Sequence, residues 1–200
     1  DSMEVMANLA RKAIGLYPLS AETQVRLLNY SENYTYLLDC PLAGKHILRI
    51  NRPGYHSVES LQSELKWLDA LIEQCPITTA RALSGFDGRR IQELIHPESG
   101  ETIRCVLFEF LEGGAPNEDN LVDEFEKLGK VTAHLHNQVE SWPPSRKLER
   151  LIWDFDHTLG STPNWGRWQD GMGMTDEHLR LLGQAVEVVR DRLSAYGASE

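Results

Sequence analysis

The sequence predicts an α+β fold in two lobes, a sheet-rich first half followed by a helical second half. Three observations carry this. Short apolar runs separated by turn residues recur from Gln24 to Phe110, broken by a single helical stretch. From Gly113 onward the strand signal stops, and two long segments with apolar residues at helical spacing take over. The length of 200 residues suits one ordinary domain or two small lobes sharing a hinge, and 41% hydrophobic with 25% charged residues is the composition of a globular chain.

The elements are justified in turn. Val5, Leu9 and Ile14 among polar residues predict a short amphipathic helix that stops before Pro18. Three strands follow, Gln24 to Tyr30, Tyr34 to Asp39 and His46 to Asn51, with Ser31-Glu32-Asn33 and Leu42-Ala43-Gly44 as their turns. Ser57 is placed to cap a helix on which Leu61, Glu64, Leu65, Leu68, Leu71 and Ile72 fall at helical spacing, and Pro76 ends it. Ala80 to Ser84, Arg90 to Ile95 and Glu101 to Phe110 read as further strands, with Asp87-Gly88 and Ser99-Gly100 turning the chain. Asn117 to Glu140 then predicts a long helix with Leu121, Phe125, Leu128, Val131, Leu135 and Val139 as its stripe. A loop rich in Pro and Trp leads to a last helix, capped by Thr175 and running to about Ala195.

Composition excludes several functions. Twenty basic residues against 30 acidic give a formal charge of −10, against the basic footprint of a nucleic-acid binder. No apolar run approaches the ~18 residues of a membrane span, and no basic region followed by an apolar stretch opens the chain. Cys40, Cys75 and Cys105 are few and widely spaced, in no metal-ligand pattern, which predicts small buried hydrophobes in a reducing compartment.

Chemistry is carried by a few residues. Arg49 stands mid-strand in His46-Ile47-Leu48-Arg49-Ile50, and alternation allows it either the solvent face or a cleft. Glu64 falls beside the apolar stripe of the following helix, where an unpaired carboxylate is costly, and the strand cation is its obvious partner. That pairing is how protein-kinase-type folds hold nucleotide phosphates. Val106 to Gly114 is an apolar strand running out into a glycine pair. Such a strand offers a flat ring an apolar slot with one backbone acceptor and one donor at its edge. Leu151 to Leu159 contains Asp154 and Asp156 in an arrangement similar to the opening of haloacid-dehalogenase-type phosphatases, where a first Asp is nucleophile and a second is general acid. That chemistry requires a parallel strand ahead of Asp154 and crossover helices after it, which the surrounding sequence does not predict. His134 and His136 point to different faces of one helix, against a shared metal and for core or interface positions. Trp142, Trp153, Trp165 and Trp168 cluster in one loop region and are expected to pack it onto the helices, with an aromatic wall for a cationic substrate as the other use.

The succession Asn29-Tyr30-Ser31-Glu32-Asn33-Tyr34-Thr35-Tyr36, Ile47 to Gly54, Ser63-Glu64, Leu107 to Gly113 and Thr132-Ala133-His134-Leu135-His136-Asn137 resembles the aminoglycoside phosphotransferase superfamily of small-molecule kinases, choline-kinase-like and homoserine-kinase-like members included. The resemblance implies a protein-kinase-like fold with an N-lobe at 1–108, a hinge at 109–114 and a partial helical C-lobe at 115–200. It implies a nucleotide site. Ser31, Glu32 and Asn33 would form the loop over the phosphates, Arg49 would replace the family's strand lysine, and Glu64 would orient it. Phe108 would lie behind the adenine, with the Glu109 carbonyl and the Leu111 N–H at its edge. The implied cofactor is ATP or GTP with Mg²⁺, the implied partners are that nucleotide and a small-molecule alcohol, and the implied location is cytoplasmic, away from membranes and nucleic acid.

One departure is an absence. The family's His-x-Asp-x-x-x-x-Asn loop, whose Asp orients the acceptor hydroxyl and whose Asn holds Mg²⁺, has no counterpart, because no His in this sequence is followed two residues on by Asp. The expectation is an N-terminal portion of a kinase, inactive by itself, with no catalytic residue of its own and metal ligands beyond it. A nucleotide-binding pseudokinase or regulatory module is the alternative, and the phosphatase using Asp154 and Asp156 the more distant one.

Overall fold

The computed structural model describes residues 3–197, so the outermost residues of the two expected lobes, 1–2 and 198–200, lie outside the described residues. The opening amphipathic stretch folds as α1 (Met3–Ile14), which buries Met6, Leu9, Ala10, Ala13 and Ile14. These positions are one face of a 3.6-residue repeat. Six strands follow, all in antiparallel pairs: β1 (Gln24–Tyr30), β2 (Asn33–Cys40), β3 (Gly44–Asn51), β4 (Ala82–Leu83), β5 (Ile91–Ile95) and β6 (Thr102–Glu109). Their order is β1-β2-β3-β6-β4, with β5 also on β6. The strand expected over Ala80 to Ser84 shrinks to two residues because its edge is shared. β5 already pairs with β6 from Thr102 to Val106, which leaves only Leu107 and Phe108 for β4.

Alternation gives the sheet two apolar faces. Leu48, Ile50, Ile103, Cys105 and Leu107 join Tyr34, Tyr36 and Leu38 under α1 in the larger core. Val106 and Phe108 point the other way and pack with Leu65, Leu68 and Ile47 under α2 (Val58–Gln74). Ser57 caps α2 by accepting from the Ser60 N–H at 3.0 Å. Cys40 and Cys105 are buried and Cys75 is half-buried; burial pushes the Cys105 thiol up to about 12, so it stays a neutral core group.

The β4–β5 turn is locked by Gln92, 4% exposed, whose Nε2 donates to Asp87 Oδ1 at 2.6 Å and to the Arg89 carbonyl at 2.7 Å. Gly85 lies against this knot, and a Cβ there would meet Gln92 Nε2 at 2.5 Å and the Leu16 carbonyl at 2.7 Å. Because one of these neighbours is backbone, Gly85→Ala is expected to destabilise the protein by about 1–3 kcal/mol. A urea unfolding midpoint equal to wild type would show that the turn yields.

Past the sheet, a 3₁₀ turn at Glu118–Asn120 precedes α3 (Leu121–Ser141), then come a short α4 (Phe155–Thr158) and α5 (Asp176–Ala195). The chain resolves into two compact units, Asp1–Glu149 and Arg150–Glu200. Leu121, Val122, Phe125, Leu128 and Val131 on α3 are exposed, as are Leu181, Leu182, Val188 and Val189 on α5. No helix among the described residues is long and apolar enough to cross a membrane.

Candidate nucleotide site

The face of the sheet that Arg49 occupies follows from α1. Leu48 and Ile50 go into the core beneath α1, so Arg49 shares the opposite face with Ile47 and sits under α2. There it meets Glu64. Arg49 Nη1 donates to Glu64 Oε1 at 2.6 Å and Nη2 to Oε2 at 2.9 Å, a bidentate pair with both side chains 20% exposed. The two parallel charge-assisted bonds fix the guanidinium plane as well as its place. Its carbon lies 5.1 Å from the Phe108 ring centroid, which adds a cation–π contact. The third donor, Arg49 Nε, is buried with no hydrogen-bond partner.

Around this pair opens a cleft of about 350 Å³. Of the residues the sequence singles out, Arg49, Glu64, Phe108, Glu109 and Leu111 line it together. Ser31, Glu32 and Asn33 do not. They form the β1–β2 hairpin tip, two to four residues before Thr35, which does line the cleft and stands opposite Arg49 in the β2–β3 register. The tip is nonetheless held. Asn51 Nδ2 donates to Asn33 Oδ1 at 2.8 Å, the Ser31 N–H donates to the Asn33 carbonyl at 3.1 Å, and Arg52 Nη1 reaches the Ser31 carbonyl at 3.4 Å.

At the far end the sheet lets go of β6. His46↔Glu109 is the last pair with β3, and the Glu109 N–H donates to the Arg81 carbonyl at 2.9 Å. Phe110 and Leu111 continue outside any strand, with Lys45 Nζ 5.2 Å from the Phe110 ring centroid. The arrangement offers an apolar slot between Ile47, Leu68, Ala80 and Phe108, a backbone edge at 109–111, and a fixed cation. Thr35 and Thr79 also line it, and neither is a site residue expected from the sequence. Thr35 stands opposite Arg49 in the strand register, and Ala80, expected to begin a strand, lies with Thr79 in the loop before β4.

Elsewhere, Asp154 caps α4, its Oδ1 accepting from the His157 N–H at 2.8 Å and standing 2.7 Å from His157 Nδ1. The backbone N–H of His157, then its side chain, hold the Asp154 carboxyl below the usual carboxylate range. Residues 148–154 form no strand. Asp156 crowds Gly160, where any Cβ would clash with it. His134 and His136 are exposed, so neither is a core residue; the α3 residue that is buried is Gln138. Trp168 packs beside Gly183 of α5, as expected of a loop packed onto helices. Trp153 and Trp165 instead lie against each other at a tilt of 46°, centroids 4.8 Å apart, and stay 70% and 46% exposed. No group of three or more His, Cys, Asp or Glu suited to a metal ion occurs among the described residues.

A family model described as the phosphotransferase enzyme family matches residues 24–195. No curated protein matches the chain. Among solved structures, a microcompartment-associated aminopropanol kinase is 35% identical and superposes with a TM-score of 0.79, over 94% of this chain and 57% of that one. An amicoumacin kinase, solved with AMP-PNP and Ca²⁺, is 19% identical with a TM-score of 0.71, over 96% of this chain and 54% of that one; at that identity it speaks for the fold alone. The chain thus spans a little over half the length of both.

Proposed function

The chain belongs to the phosphotransferase enzyme family, and from that premise we propose that it is the nucleotide-binding part of an ATP-dependent phosphotransferase acting on a hydroxyl of a small molecule. One observation carries the reading: a bidentate Arg49–Glu64 pair at the end of an apolar slot whose other end is a backbone edge released from the sheet. Adenine fits that slot. Its amino group donates to the Glu109 carbonyl, a ring nitrogen accepts from the Leu111 N–H, and Phe108 backs the ring. Guanine presents a carbonyl where adenine has the amino group, so it would face the Glu109 carbonyl acceptor to acceptor. Arg49 meets the phosphates with the charge Glu64 holds in place. Ser31, Glu32 and Asn33 close over the phosphates from the hairpin tip.

In such transfer the protein supplies position and charge rather than covalent chemistry. Mg²⁺ would neutralise the triphosphate, and its ligands are assigned to the His-x-Asp-x-x-x-x-Asn loop, which this sequence does not contain. The functional division we propose, 1–108, 109–114 and 115–200, follows the slot rather than the compact units. The 35% identical aminopropanol kinase makes amino alcohols the first acceptors to assay. A binding module without transfer is the second reading, favoured by the lack of any His-x-Asp.

Titration of the chain with a non-hydrolysable ATP analogue, followed by calorimetry, tests the site. Saturable binding is expected, weaker for the GTP analogue, and unchanged in Asp154→Asn, whose carboxylate serves a helix cap. No saturable binding would remove the nucleotide reading, and binding lost in Asp154→Asn would move the site.

A further inference from the structure

Helix α2 carries Glu64, and its two flanks are held by different chemistry. Toward the sheet it buries Leu61 and Leu65. On the other flank Ser63, Trp67 and Gln74 share one side at i, i+4 and i+11, and their ties are polar. Trp67 Nε1 donates to Gln138 Oε1 at 3.0 Å, and Gln138 Nε2 donates to Gln74 Oε1 at 3.2 Å. Nearer the start of α2, Ser57 Oγ donates to Glu149 Oε1 at 2.5 Å, and the Glu149 N–H donates to Ser63 Oγ at 2.9 Å.

Gln138 stands out on α3. It is 6% exposed, while Leu128 and Val131 on the same helix are 55% and 39% exposed. A contact that needed only burial would set those apolar residues against α2. Apolar contact tolerates sliding, whereas a buried amide using its oxygen for one partner and its nitrogen for another has one geometry. Trp67 is three residues after Glu64, about 60° around the helix, so what fixes Trp67 fixes the roll of Glu64. At a radius of about 5–6 Å, a roll of about 15° carries a carboxylate about 1.5 Å, enough to break one bond of a bidentate pair.

We infer that Gln138, through Trp67 and Gln74, is a positioning residue that sets the roll of α2 and so keeps both Glu64 oxygens on Arg49. Its consequence for nucleotide affinity rests on the reading of Arg49 as the phosphate-binding cation; its consequence for the ion pair does not.

The test uses Gln138→Leu, which removes both amide bonds at similar volume, and Trp67→Phe, which removes only the indole donor. The first readout is nitrogen NMR of the Arg49 guanidinium, assigned with Arg49→Lys. Slow rotation with distinct Nη signals is expected in wild type and averaged signals in Gln138→Leu, with Trp67→Phe between them. The second readout is affinity for the ATP analogue. Gln138→Leu is expected to weaken it about fivefold, and to change nothing further in a Glu64→Gln background. A fivefold loss that persists in that background marks a merely structural role and overturns the inference, as do Nη signals that stay distinct in Gln138→Leu. If wild type binds no nucleotide, the nucleotide reading fails and the guanidinium signals alone decide. If Gln138→Leu does not fold, Trp67→Phe decides by the same signals.

Discussion

Arg49→Met is expected to weaken binding of the ATP analogue by at least about tenfold and to lower stability by about 1–3 kcal/mol. The two losses have separate origins. Binding falls because a charge-assisted phosphate contact disappears. Stability falls because Glu64, at 20% side-chain exposure, keeps a carboxylate under α2 with its bidentate partner gone. The double variant Arg49→Met with Glu64→Leu separates them. Replacing both charges by apolar groups removes the half-buried carboxylate along with the cation, so the urea midpoint should return toward wild type while binding stays weak. Arg49→Lys should fall between, since an ammonium keeps the charge but cannot form two parallel bonds to one carboxylate. Binding at wild-type strength in Arg49→Met would mean that the phosphates meet another group. Recovery of binding in the double variant would mean that Arg49 serves only the fold.

Much of this site could be read from residues alone, and what could not has physical reasons. Glu64 needed a cation, and the strand fifteen residues earlier held one; their pairing follows from the cost of a lone charge near an apolar stripe. Which face of β3 Arg49 uses was undecidable locally, because a two-residue alternation is symmetric until something covers one side. The cover is α1, whose buried positions include Ala10 and Ala13, residues that hydropathy weights little. The strand from Ala80 was overdrawn because competition for an edge belongs to the sheet, not to the segment. α3 was legible only in part. Its apolar stripe follows from the helical period and stands exposed at Leu121, Phe125, Leu128 and Val131, whereas its buried residue, Gln138, is bonded to Trp67 and Gln74, which no periodicity records. The α+β protein-kinase-like fold was legible because it rests on order and spacing, which survive such local errors.

With ATP and an alcohol, the 200-residue chain is expected to turn over at least about a thousandfold more slowly than the 35% identical aminopropanol kinase. Phosphoryl transfer draws its acceleration from an oriented hydroxyl and from metal ions that neutralise the moving charge. On the proposed reading, Arg49 and the 109–111 edge would hold the donor but touch neither of these. The His-x-Asp that would orient the hydroxyl does not occur in the sequence. Asp154 is spent on the N-terminus of α4 and on His157, and Asp156 packs against Gly160. A coupled assay of ATP consumption across amino alcohols, choline and sugars, with the aminopropanol kinase as reference, measures the difference. Turnover within tenfold of the reference would place a hydroxyl-orienting group among these residues. Asp154→Asn and Asp156→Asn would then be the first variants to locate it. Background turnover that Arg49→Met leaves unchanged, beside ATP-analogue binding that it weakens, is the expected pattern for a donor site lacking its catalytic loop.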